Sequence, residues 1–203
     1  RGELAILVGR SGAGKTTLLR CLGGLEHPDS GTIEFEGAPF EPTDAAVVFQ
    51  EGALVDEKSA ISNVLDGTLG RVAEWKAALG WYPSTGKRTA IERLHEVGLG
   101  GYAERQVGTL SGGERQRVGI ARALQQEPAV LLADEPVASL DPATGRDILD
   151  RLARVVKKQN LVGLVSLHQP HLAEVVADRY FGLSGGRLVF DEPAAELSPS
   201  EIM

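Results

Sequence analysis

Eight consecutive residues near the start of the chain, Gly9-Arg10-Ser11-Gly12-Ala13-Gly14-Lys15-Thr16, restrict its fold more than any other part of the sequence. They fit the pattern G-x-x-x-x-G-K-[ST], which requires a strand before it and a helix after it. Both signals are present. Leu4-Ala5-Ile6-Leu7-Val8 is a short apolar run bounded by glycines, as a buried strand is. From Lys15 the pattern turns helical, with Leu18, Leu19 and Leu22 on one side, until Gly23-Gly24 stops it. Glycines let the backbone curl around a phosphate chain where a Cβ would obstruct the approach. Successive N–H groups from Gly12 to Thr17 then point inward at a helix start, where the dipole also favours an anion. Lys15 supplies a point charge for β- and γ-phosphates, and Thr16 a hydroxyl for Mg²⁺.

The rest of the chain alternates buried strands with helices, which argues for a mostly parallel α/β sheet. Strands are expected at Ala46–Phe49, Ala129–Ala133 and Leu161–Leu167, with two short pieces flanking Gly185-Gly186. Gly31 to Gly37 alternates as Thr-Ile-Glu-Phe-Glu, an antiparallel-type strand with one wet face. Ile61 to Leu99 reads as mostly helical with a break at Gly80–Gly86, and Ser111–Gln126 as a further helix. This helical block argues for an inserted subdomain. Asp141 is a good N-cap, with Pro142 at the first helical position and a stripe of Ile148, Leu149, Leu152, Val155 and Val156 behind it. The chain is long enough, at 203 residues, to bury a core without staples. One cysteine, Cys21, rules out a disulfide framework or a CxxC zinc pair. A formal net charge of −7 argues against a basic nucleic-acid binder. No apolar run approaches the roughly 20 residues needed to span a bilayer.

Two further groups of residues carry chemistry. Val130-Leu131-Leu132-Ala133-Asp134-Glu135 is an apolar strand ending in two carboxylates, at the end of a strand where open α/β sheets bind ligands. Asp134 is placed to hold Mg²⁺ through water, and Glu135 to polarise an attacking water as general base. Leu110-Ser111-Gly112-Gly113-Glu114-Arg115-Gln116 is a second glycine-rich turn opening a second helix, hence a second phosphate site.

This last segment resembles the signature motif of the ABC ATPases. Together with the first glycine-rich loop, the P-loop, it is highly specific for that family, and the resemblance covers essentially the whole chain. It implies an ABC-type P-loop NTPase: a mostly parallel core at about 1–50 and 128–203, a small antiparallel β part, and an inserted α-helical subdomain with the signature at about 51–127. It implies ATP as substrate, Mg²⁺ as cofactor, and a head-to-tail ATPase dimer in which the signature of one subunit, Ser111 to Glu114, closes on the γ-phosphate held by the P-loop of the other, residues 9 to 17. Gln50, after the strand ending at Phe49, is similar to the Q-loop glutamine that reaches metal and water and senses the transmembrane partner. Ser139-Leu140-Asp141 resembles the D-loop at the dimer interface. His168 resembles the switch histidine that contacts the γ-phosphate; a lone histidine after a strand is otherwise most often structural.

The resemblance has three departures. Glu114 stands where glutamine is commoner, though a carboxylate also accepts from a ribose hydroxyl. Arg10 stands where proline, alanine or asparagine is commoner, its side chain expected to face solvent. The family also carries an N-terminal strand with an aromatic that stacks on adenine; that segment is absent from this sequence, which leads to the expectation of a fragment.

Among ABC proteins, the chromosome type separates P-loop and signature by a long coiled coil, the translation type has two ATPase units, and the DNA-repair type has zinc-binding cysteines. None of these features is present, so a transport motor is expected. Exporters usually fuse the ATPase to membrane helices, which points to an importer or a lipoprotein-release type system. Asn63-Val64-Leu65, Gly67-Thr68-Leu69-Gly70, Ala133 to Pro142 and Ser166-Leu167-His168-Gln169 are most similar to phosphonate-import ATPases. The expected cargo is a phosphonate or a related phosphorus oxyanion, the alternative another polar solute. The expected partners are transmembrane permease subunits and, indirectly, a periplasmic or lipoprotein solute-binding protein. The expected place is peripheral, on the cytoplasmic face of the inner membrane. Trp75, Trp81 and Tyr82, beside Gly80 and Pro83, suit a permease-binding groove or the core of a small helical subdomain.

Overall fold

The computed structural model describes residues 1–49, 54–68 and 84–197. Gln50, Trp75, Trp81 and Tyr82 lie outside those residues, as does part of the expected helical block.

Six strands form the main sheet: β1 (Glu3–Val8), β4 (Ala45–Val48), β5 (Val130–Asp134), β6 (Val162–Ser166), β7 (Arg179–Ser184) and β8 (Arg187–Pro193). Their order is β4-β5-β6-β1-β7-β8, parallel except for the β7–β8 hairpin. The small antiparallel part is shorter than the alternation suggests. Only β2 (Glu34–Phe35) and β3 (Ala38–Pro39) pair, around a turn in which Glu36 and Gly37 have φ of 53° and 80°. Pro39 has no N–H to extend that ladder.

The helices are α1 (Lys15–Leu22), α2 (Ala60–Leu65), α3 (Ser84–Glu96), α4 (Gly112–Leu124) and α5 (Pro142–Lys158). The break expected through Gly86 does not reach it: α3 runs from Ser84, and Gln125 Nε2 donates to the Gly86 carbonyl at 3.2 Å.

Alternation along the parallel strands sorts the core onto two faces, because successive Cβ atoms point to opposite sides. Leu4, Ile6 and Val8 of β1, Leu131 and Ala133 of β5, and Val165 of β6 join Val118, Ile120 and Leu124 of α4 and Ile148, Leu149 and Leu152 of α5 in one buried cluster. Leu7, Val130 and Leu132 turn the other way, toward Leu19 of α1. Glycines at 9 and 163 mark close approach. A Cβ on Gly9 would stand 2.4 Å from the Leu183 carbonyl oxygen, and one on Gly163 2.7 Å from Leu4 Cδ1.

Between β4 and β5, α2, α3 and α4 share the larger cluster through Val64, Ala90, Leu94 and Val118. Asn63, wholly buried on α2, organises the loop before it. Its Oδ1 accepts from Val55 N at 2.8 Å, and its Nδ2 donates to the carbonyls of Val55 at 3.0 Å and Ser59 at 3.1 Å. Leucine at this position keeps the branched shape but leaves those backbone groups unsatisfied. Asn63→Leu is expected to cost about 1–3 kcal/mol of stability, read as a lower urea midpoint at unchanged slope.

Candidate functional site

Strand register assembles the site. β1 pairs with β6 so that Leu7 stands opposite Ser166, and β5 pairs with β6 so that Asp134 does the same. Parallel strands end on one edge, so the loop after Val8, the carboxylates after Ala133 and His168 emerge side by side. The Leu167 N–H donates to the Leu7 carbonyl at 3.1 Å and ties two of these ends together.

Residues Gly9 to Gly14 form the loop between β1 and α1, and Lys15, Thr16 and Thr17 open the helix. Gly12 and Gly14 have φ of 79° and 101°, a region that L side chains rarely adopt. The Ala13 N–H donates to the Arg10 carbonyl at 3.0 Å and closes the curl. Lys15 is 5% exposed, and its Nζ donates to the Gly9 carbonyl at 2.7 Å, so the ammonium sits inside the loop. The α1 N-terminus has no side-chain cap and no acidic residue in its first turn. By contrast, Ser59, Ser111 and Asp141 cap α2, α4 and α5. Uncapped N–H groups and a buried cation make a seat for an anion. Arg10 and Ser11 of the loop are exposed, as are Thr16 and Thr17 on the first turn of α1. A cleft of about 460 Å³ beside the loop is lined by Gly9, Arg10, His168, Ser184 and Phe190 among others.

The carboxylate pair is fixed by a residue that the motifs do not include. Ser166, wholly buried at the end of β6, donates from its Oγ to Asp134 Oδ1 at 2.7 Å and accepts from Glu135 N at 2.9 Å. Its only sequence signal is a polar residue closing an apolar strand two places before a candidate histidine. Glu135 has φ of 49°, a left-handed conformation costly for a side-chain-bearing residue and concentrated at functional sites. Its Oε1 lies 2.7 Å from His168 Nε2, so His168 steadies the carboxylate expected to act as base. Thr16 and Asp134 offer a hydroxyl and a carboxylate, the hard oxygen donors that Mg²⁺ takes with water completing its shell.

The second glycine-rich turn belongs to a different part of the fold. Ser111 and Glu114 form a capping box: Ser111 Oγ accepts from Glu114 N at 3.3 Å, and Glu114 Oε2 accepts from Ser111 N at 2.8 Å. Glu114 is held below the ordinary glutamate value, first by the Ser111 N–H and then by the Ser111 hydroxyl. Gly112 and Gly113 pack against the start of α5. A Cβ on Gly113 would meet Thr144 Cγ2 at 2.6 Å, and one on Gly112 would meet Leu140 Cδ2 at 3.2 Å. Asp141 caps α5 by accepting from Ala143 N and Thr144 N, each at 3.0 Å. Its carboxyl is likewise lowered, first by the Thr144 side chain.

Comparison with known proteins adds four findings. The sequence model of the family described as ABC transporter matches residues 1–138. A phosphonates import ATP-binding protein of Natronomonas pharaonis is 71% identical over 202 residues, 100% of this chain and 87% of that protein. A phosphate-import ATP-binding protein of Mycolicibacterium smegmatis is 44% identical over 213 residues, covering 100% of this chain and 81% of that one. Among solved structures, a dimeric ATP-binding cassette in a post-hydrolysis state, bound to ADP and Pi, superposes with a TM-score of 0.78 at 28% identity, over 95% of this chain and 86% of that one.

Ser166→Ala is expected to leave Asp134 Oδ1 and Glu135 N without their partner, at about 1–3 kcal/mol in stability, checked by denaturant titration. The lowered carboxyls set a pH dependence. Glu114 and Asp141 bind protons more weakly folded than unfolded, so their contribution is complete above the ordinary carboxylate range. It is lost as pH falls through the lowered folded values. The melting temperature should drop on acidification across that range, and the drop should be shallower in Glu114→Gln and Asp141→Asn.

Proposed function

The chain belongs to the ABC transporter family, and from that premise we propose that it is the ATP-hydrolysing subunit of an importer whose cargo is a phosphonate or a related phosphorus oxyanion. One observation carries the ATPase reading: a curled glycine loop around buried Lys15 stands on the same sheet edge as Asp134, Glu135 and His168. The substrate class rests on the 71% identity to the Natronomonas protein, with the phosphate-import relative as the nearby alternative.

The geometry supports a division of labour. Residues 9 to 17 hold a phosphate chain by backbone N–H groups, with Lys15 offsetting its charge. Glu135 takes the proton of the attacking water, in an orientation set by His168 Nε2 and by the Ser166 hydroxyl on its N–H. Thr16 and Asp134, with Gln50, would hold Mg²⁺, which when bound neutralises developing phosphate charge. Ser111, Gly112, Gly113 and Glu114 stand on α4 and complete the site of a second copy, as in a head-to-tail dimer, and Asp141 fixes the start of α5 beside them. Among the described residues no helix is long and apolar enough to cross a membrane. In this reading membrane permease subunits carry the cargo, with a solute-binding protein supplying it and this subunit lying against the cytoplasmic face. The core comprises about 1–50 and 128–203, and residues of about 51–127 form the helical subdomain.

Glu135→Gln should keep ATP binding and lower turnover by about 10²- to 10⁴-fold, measured as phosphate release, and should accumulate an ATP-bound dimer. Lys15→Ala should weaken binding itself, whereas Ser111→Arg should block hydrolysis with binding intact. Mixing the last two gives a heterodimer with one complete site, so activity should return on mixing. Turnover in Glu135→Gln within a few-fold of wild type would remove the role given to that residue. Uptake of a phosphonate by vesicles carrying the permease, compared with inorganic phosphate, separates the two cargoes.

A further inference from the structure

The loop of residues 54–58 and the turn that leads into Ser111 are joined as one body. The Gly108 N–H donates to the Asp56 carbonyl at 3.0 Å and the Val107 N–H to the Lys58 carbonyl at 3.0 Å. Ser59 and Gln106 form an antiparallel bridge, and the Ala60 and Ile61 N–H groups donate to the carbonyls of Arg105 at 2.8 Å and Ala103 at 2.9 Å. Buried Asn63 holds the same loop from below. The only side chain of α4 with a hydrogen bond or ion pair to these two segments, among the described residues, is Arg115, one turn into the helix. Its guanidinium reaches Asp56 Oδ1 at 2.7 Å and the Val107 carbonyl at 3.3 Å.

Arg115 is 31% exposed and Asp56 54% exposed. Ion pairs so open to water add little to stability, so a purely stabilising role explains little. Geometry gives them another. The pair bridges the start of α4, which presents Ser111-Gly112-Gly113, to a loop that follows Gln50 closely in sequence. We propose that Asp56 and Arg115 are positioning residues, which set where the Ser111-Gly112-Gly113 turn stands relative to the loop of residues 54–58. The proposal rests on the reading of that turn as half of a composite ATP site. The backbone ladder does not involve either side chain beyond Cβ, so truncating them leaves it in place.

The test compares full-length wild type with Asp56→Ala, Arg115→Ala, the double variant and Arg115→Lys. ATP affinity, ATP hydrolysis and the melting temperature are measured for each. Each single alanine variant is expected to lower kcat about ten- to hundredfold, as misplacement of a reacting group on the ångström scale does. ATP affinity and melting temperature should stay near wild type, since neither residue belongs to the P-loop and their ion pair is open to water. The double variant should lose no more than the worse single variant, because the two act through each other. Arg115→Lys, which keeps a cation facing Asp56, should recover part of the loss. Single variants with wild-type kcat overturn the proposal. So do losses that multiply in the double variant, or a kcat loss that a lowered melting temperature accounts for. Wild-type chain without ATPase activity, or activity that Glu135→Gln leaves intact, overturns the ATPase reading itself and the proposal with it.

Discussion

Everything at the candidate site depends on the register between β1, β5 and β6. Asp134 and Leu7 both face Ser166, so the ends of three strands reach one level of the sheet edge. A slip of one residue would turn each strand's buried side chains to the opposite face, so the two-sided core that packs Ile6 one way and Leu7 the other also locks the chemistry in place. The site is thus held by packing at some distance from it. Ser166 is where the two meet: a buried hydroxyl that serves two neighbours, donating to one and accepting from the other.

A second consequence concerns the helix starts. Among the described residues, four of five helices have an N-cap in view, and three of these are capped by that residue's side chain. α1 is the exception, and its first residue is a buried lysine. An uncapped terminus on a short helix is destabilising in isolation. Its persistence beside Lys15 is intelligible as a site whose cap comes from outside the chain, an anion that satisfies the N–H groups and the ammonium together.

Much of this was legible in the sequence, and the reasons differ by residue. Gly9 to Thr17 could be read because the curl needs glycine at fixed places, and Gly12 and Gly14 do take left-handed φ. Asp134, Glu135 and His168 were legible as the residues following apolar strands, since strand ends of a parallel sheet converge. Ser166 was not, because serine is common in strands and only the register reveals that it faces Asp134. Asn63 was hidden for a similar reason: its bonds go to backbone carbonyls and N–H groups, which no side-chain pattern encodes. The strand expected over Gly31–Gly37 shrank to two residues, since alternation says which face is wet but not how many N–H groups find a partner. Gly86 suggested a break and instead lies inside α3, one of the positions where tertiary contact, here from Gln125, overrides a weak local propensity.

Glu114 shows how a departure from a family pattern can be weighed physically. A capping box accepts glutamate or glutamine equally in geometry, and Glu114 occupies it fully through the Ser111 N–H. The difference is charge. A carboxylate at the start of α4 suits the helix dipole, and its lowered proton affinity comes first from the Ser111 N–H. In the proposed head-to-tail dimer, the same charge weakens the pull of that helix start on a phosphate arriving from a second copy. The remaining donors are neutral, namely the Ser111 hydroxyl and the N–H groups of Gly112 and Gly113, so binding there depends on directed hydrogen bonds more than on net potential. Directed bonds weaken steeply with misalignment. On the composite-site reading, a signature turn of this composition depends more strongly on where α4 is held than one with a neutral residue at position 114, which accords with the positioning role proposed for Asp56 and Arg115.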